Sequence, residues 1–109
     1  MASSTNRNEP FAEGSALTHL LGNNPKVRIL SGLLSENDVD INVTQITDLA
    51  GIHRSTVYDH IGDLVRVDVV EQTRTVGGSP LYRINRDSEV AENLAQLEWD
   101  LLDVLCNEE

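Results

Sequence analysis

Residues 44–67 read TQITDLAGIHRSTVYDHIGDLVRV, and the spacing of apolar side chains in this stretch predicts two helices joined by a tight turn. Thr44 is placed to accept a hydrogen bond from an exposed N–H of the first turn, and Ile46, Leu49 and Ala50 share one face. Gly51 ends that helix, because glycine enters the left-handed region without steric cost. The second helix is expected to start near His53 or Arg54. Ile52, Val57, Ile61, Leu64 and Val65 form its inward stripe, which leaves Arg54, Ser55, Tyr58, Asp59 and Gly62 facing out.

A short helix, a tight turn and a longer helix with a polar N-terminal face form the helix-turn-helix arrangement, whose second helix enters the DNA major groove. Downstream, Val69 to Val76 and Leu81 to Asn85 are rich in β-formers. They flank Gly77-Gly78-Ser79-Pro80 and read as a hairpin with a four-residue loop. The whole order resembles the winged helix-turn-helix regulators of the ArsR and MarR-like type, particularly the single-domain forms of salt-loving archaea. The residues that carry the resemblance are 50–58 (AGIHRSTVY), 63–65 (DLV) and 73–82 (TRTVGGSPLY), and it covers roughly residues 15–105. It implies a mainly α fold with a small β-hairpin, an α+β winged helix-turn-helix with a C-terminal dimerisation helix.

A chain of 109 residues fits one domain. No apolar run approaches the roughly 20 residues that span a bilayer, and Met1 to Asn8 lacks the apolar middle of a signal peptide, so a cytoplasmic protein with no membrane partner is expected. Cys106 stands alone and has no intramolecular disulfide partner. The formal net charge is −10. Residues 1–43 hold three basic and five acidic side chains, residues 44–86 five of each, and residues 87–109 none and eight. The segment expected to read DNA is therefore electroneutral, and the C-terminal segment repels DNA. One lysine against seven arginines, with abundant Asp, Glu and Thr, is the composition of a protein from a salt-rich cytoplasm. At about 1 M salt the Debye length is about 3 Å, which screens the acidic surface and also leaves recognition to close contacts.

In chain order, residues 1–14 are expected to be a disordered tail, 15–86 the DNA-binding domain and 87–109 the dimerisation helix. Ser15 caps a short helix with Leu17, Leu20 and Leu21 inward, ended by Gly22. Asn24 followed by Pro25 starts a second helix, with Val27, Ile29, Leu30, Leu33 and Leu34 in the core and Lys26 and Arg28 in solvent. Val39, Ile41 and Val43 alternate with Asp38, Asp40 and Asn42 as a short strand. Asp68 sits where a left-handed residue must turn the chain into the hairpin. From Asp87 or Ser88, Val90, Leu94, Leu97, Leu101 and Val104 repeat as a coiled-coil seam. Trp99 and Leu105 extend this seam as a homodimer interface, joined by Leu17 and Leu20; packing on the parent core alone is the alternative.

The resemblance places the first two turns of the recognition helix, about residues 53–66, against base edges. There Arg54 can bond guanine O6 and N7, a pairing worth about 1–3 kcal/mol of discrimination. Ser55 and Thr56 can bond bases or phosphates, and Tyr58 a phosphate. Asp59 can accept from cytosine N4 or hold Arg54 in position, the second being favoured, and His60 follows on the flank. Thr44 and Gln45 can present N–H groups to a phosphate. In the wing, 69–85, Arg74 and Arg83 flank the turn, and Gly77 and Gly78 let its tip approach the minor groove, with Arg74 the favoured contact.

These residues point to a regulator that binds a palindromic double-stranded operator as a homodimer. Two alternatives stand beside it: a winged-helix protein-interaction module, and a ligand-responsive sensor without direct metal binding. Thr44 to Ala50 contains no Cys, and His53 and His60 are too few and too far apart for a ligand set, so neither metal nor cofactor is expected. No nucleophile with a nearby base and no phosphate loop suggests an enzyme.

Overall fold

The computed structural model describes residues 15–36 and 39–107; the expected tail, 1–14, and the last two residues lie outside them. The elements are α1 (Ala16–Leu21), α2 (Pro25–Ser35), β1 (Ile41–Asn42), α3 (Val43–Ala50), α4 (Arg54–Arg66), β2 (Val70–Val76), β3 (Ser79–Ile84) and α5 (Glu89–Cys106). The fold is mixed α+β, with an antiparallel sheet in the order β1-β3-β2.

Local chemistry sets most boundaries. Ser15 Oγ accepts from Thr18 N–H, Asn24 Oδ1 from Val27 N–H ahead of Pro25, and Ser88 Oγ from Ala91 N–H, so each helix start satisfies a donor its own ladder cannot reach. Gly51 closes α3 at φ 71°, its N–H donating to Thr47 O. Asp68, at φ 69°, makes the left-handed turn from α4 into β2.

Helix α2 packs against α1, α3 and α4. Ile29, Leu33, Ile46, Val57 and Val70 are fully buried around it, with Leu17 and Ala91 joining from α1 and α5. Ser31 Oγ, also fully buried, shares a 2.8 Å hydrogen bond with Ser15 Oγ and ties α2 to α1.

Several expectations are corrected. First, Asn42, not Thr44, caps α3: Asn42 Oδ1 accepts from Gln45 N–H at 2.9 Å, and Gln45 Oε1 accepts from Asn42 N–H at 3.0 Å. That box also cuts the strand expected over 39–43 to Ile41–Asn42, because Val43 becomes the first helical residue; Asp38 lies outside the described residues. Second, the hairpin loop is two residues, not four. Ser79 and Pro80 pair with Val76 and Thr75, and Gly77 and Gly78 both take positive φ, as a tight primed turn requires. Third, Leu20 and Leu21 are about half exposed, since α1 is only six residues long and its last turn leaves the core. Fourth, Leu17 is 0% exposed and sits inside this chain's own core, so it has no surface to give a dimer contact. Fifth, Arg28 is buried, not solvent-facing. Its Nε donates to Ala50 O at 2.6 Å, fastening α2 to the end of α3, and its Nη1 also bonds Asn23 Oδ1.

Two glycines separate packing from propensity. A Cβ on Gly32 would meet Leu49 Cβ at 3.0 Å, with the Ala50 backbone close behind, whereas a Cβ on Gly62 would meet nothing within 4 Å. Gly62→Ala in α4 is expected to raise stability by about 0.5–1 kcal/mol through helix propensity alone. Gly32→Ala gains the same term but must separate α2 from α3, an overpacking cost of about 1–3 kcal/mol, so its net effect is destabilising. Paired urea melts check the opposite signs.

Candidate nucleic-acid interface

The inward stripe of α4 fixes what its other side displays. Val57, Ile61 and Leu64 are buried, so Arg54, Ser55, Tyr58 and Asp59 are exposed, with Thr56 and His60 intermediate at the edges. Tyr58 is 53% exposed and lies near Tyr82, whose hydroxyl is pushed above its ordinary pKa by burial first and by Tyr58 second.

Arg54 is held by a partner other than the one expected. Its Nη1 donates to Thr44 Oγ1 at 2.9 Å, and no hydrogen bond joins it to Asp59. Thr44 is exposed at the start of α3, and Gln45 beside it is occupied by the capping box. The turn Gly78-Ser79-Pro80 closes the third side of a cleft of about 80 Å³, lined also by Asn42, Val43, Thr44, Arg54 and Tyr58.

The hairpin arginines are both engaged. Thr73 is the extra residue of a bulge, since Gln72 pairs with Tyr82 and Arg74 with Leu81. Asp40, only 14% exposed at its side chain, accepts from both Thr73 Oγ1 and Arg74 Nε, the latter at 3.2 Å. Arg83 lies further from the turn, opposite Glu71, and places Nε and Nη2 at 3.2 and 3.0 Å from one Glu71 carboxylate oxygen. At the other end of α4, Asp63 accepts from Lys26 at 3.0 Å and Arg66 at 2.9 Å, and its pKa is held low by Lys26 first and Arg66 after it.

The Thr73 hydroxyl, and then Arg74, hold Asp40 below the ordinary aspartate value of 3.8. A depressed pKa means stability that is present above the unfolded-state value and lost as pH falls through the folded one. Asp40→Asn is therefore expected to melt lower than the wild type at neutral pH. The gap should close below pH 3.8, as urea denaturation at stepped pH would reveal.

Comparison with known proteins returns no match: no family model, no curated protein and no solved structure matches the chain.

Helix α5 presents two apolar sides. Ala91 is buried and Leu94, Ala95 and Leu101 pack on the core, with Leu105 also half-buried. Val90, Leu97 and Val104 recur every seven residues and remain exposed, as does Trp99 at 70%. Glu98 sits half-buried within the inward stripe, and this burial raises its pKa. A groove of about 690 Å³ runs beside Trp99, with Arg86 and Glu92 on its walls. No helix among the described residues is long and apolar enough to cross a membrane.

Sequence reasoning missed Asn42, Asp40 and Asn23. The pattern Asn42-x-x-Gln45 was a visible capping signal, whereas the reach of Asp40 to Thr73 and Arg74 depends on a strand pairing across more than thirty residues.

Proposed function

We propose that the chain is a sequence-specific, double-stranded-DNA-binding transcription regulator of winged helix-turn-helix type, resembling ArsR and MarR-like regulators of salt-loving archaea. It acts in the cytoplasm as a homodimer on a palindromic operator. Helix α4 enters the major groove, the β2–β3 hairpin serves as the wing, and α5 joins the two copies. The observation that carries this reading is the division of α4. A buried row of Val57, Ile61 and Leu64 holds a polar row of Arg54, Ser55, Tyr58 and Asp59 outward, beside a two-glycine turn slim enough for a groove.

Selecting bound fragments from genomic DNA in molar salt tests the reading; recovery of one recurrent palindromic sequence supports it, and recovery of none rejects it. The affinity for that sequence should depend only weakly on salt. Asp59 is exposed on the DNA-facing row, so binding takes up cations near it while phosphate neutralisation releases others. Asp63 contributes less, because Lys26 and Arg66 already neutralise it. The slope of log affinity against log salt is expected to be well shallower than the roughly −0.9 per neutralised phosphate set by release alone. Anisotropy titrations across a salt series measure it.

A further inference from the structure

We infer that the cleft between α3, α4 and the hairpin turn binds a single phosphate group, and that Arg54 is the clamp on that group rather than a reader of guanine. The inference rests on the DNA-binding reading in one respect: in the complex the group is a backbone phosphodiester.

Three segments far apart in sequence meet at this cleft: Asn42–Thr44, the first turns of α4, and the turn of the hairpin. Its volume, about 80 Å³, is well below the roughly 300–1,000 Å³ of pockets that enclose metabolites. A tetrahedral oxyanion matches that scale, whereas a cofactor does not. Sign selects the ligand further. The walls hold one guanidinium and no carboxylate in a chain of net charge −10, while the groove beside Trp99 has both Arg86 and Glu92 on its walls.

The donors are of the right kind. The bond to Thr44 Oγ1 uses one N–H of Arg54 and fixes the plane of its fork, leaving the other N–H groups of the guanidinium for a second acceptor. Because Thr44 Oγ1 accepts from Arg54, its own proton is directed elsewhere, and Tyr58 and Ser79 also line the space. The capping box consumes the Gln45 N–H, and Thr44 N–H, at the positive end of α3, has no helical acceptor. At Gly78, φ 82° with no side chain, the wing backbone can come close.

The same tether argues against base reading by Arg54. A guanidinium drawn back onto α3 has lost the reach that a bidentate pair with guanine O6 and N7 needs, unless it first gives up Thr44. A phosphate held jointly by α3, α4 and the wing would set the angle between motif and hairpin on the duplex, fixing register without reading sequence.

Two arms test this. In the first, inorganic phosphate is titrated into the full chain at constant high ionic strength while backbone amide and arginine Nε–H shifts are followed. Saturable shifts at Thr44, Arg54 and Gly78 that vanish in Arg54→Ala are expected, and their absence would overturn the inference. In the second, Arg54→Ala is expected to weaken binding of the selected duplex and of a scrambled duplex by the same factor, about ten- to a hundredfold. Arg54→Lys should recover part of that loss, since it keeps the charge and not the fork. A loss confined to the selected duplex would make Arg54 a base reader and overturn the clamp. If the wild type binds no duplex, the regulator reading fails, and the phosphate titration still decides the cleft.

Discussion

Arg28→Ala is expected to lower the melting temperature by about 15 °C, the consequence of losing about 3 kcal/mol in a domain of this size. The guanidinium is buried and its Nε donates to the carbonyl of Ala50, one of the last of α3, which has no acceptor-satisfying partner within its own helix. A hydrogen bond to a charged donor contributes about 1.5–3 kcal/mol, and stranding the carbonyl adds desolvation cost. The bond to Asn23 Oδ1 goes as well, loosening the entry to α2. Arg28→Met separates these terms from packing, because it keeps most of the apolar stem; it should recover only a minor part of the loss. Thermal unfolding followed by circular dichroism measures both. The relevance to function is direct, since this contact sets α3, and so Thr44 and the cleft, against the scaffold below α4.

The second large effect is on assembly. If α5 joins two copies on an operator as proposed, Leu97→Asp is expected to leave the chain monomeric and to weaken duplex binding by about 10²–10⁴-fold, the advantage that linking two half-site contacts provides. Leu97 is the middle of the exposed row Val90, Leu97 and Val104, so in the proposed dimer a carboxylate there would meet its copy. It is not part of this chain's core cluster, and the monomer should melt nearly as before. Leu94→Asp is the contrasting variant: Leu94 packs on the core, and its replacement should damage the fold itself. Sedimentation equilibrium, read beside anisotropy on the same duplex, distinguishes the two.

The helices and the hairpin were legible because their signals are local. The apolar spacing of α4, the glycine after Ala50, Asn24 before Pro25 and the positive φ at Asp68 each follow from residues within a few positions of one another. The misreadings were of two kinds. The alternation of Val39, Ile41 and Val43 reads as a strand through Val43, whereas the reciprocal bonds of Asn42 and Gln45 start the helix at that residue. Nothing local to Arg28 marks it as buried, because its partner is the end of α3, twenty-two residues away. At the site, the outward residues of α4 were readable from periodicity. Their partners were not, because Arg54 to Thr44 and Arg74 to Asp40 are tertiary contacts, and no pattern in sequence distinguishes Thr44 from Asp59 as the residue that holds Arg54.

Whether the outer flank of α4 meets a duplex is tested most directly by amide-shift mapping of the full chain against the selected DNA in molar salt. The predicted result is that the largest changes fall on Arg54, Ser55, Tyr58 and Asp59 and on the Gly77–Gly78 turn, with the exposed side of α5 unmoved. Changes centred on the groove beside Trp99, with α4 silent, would contradict it.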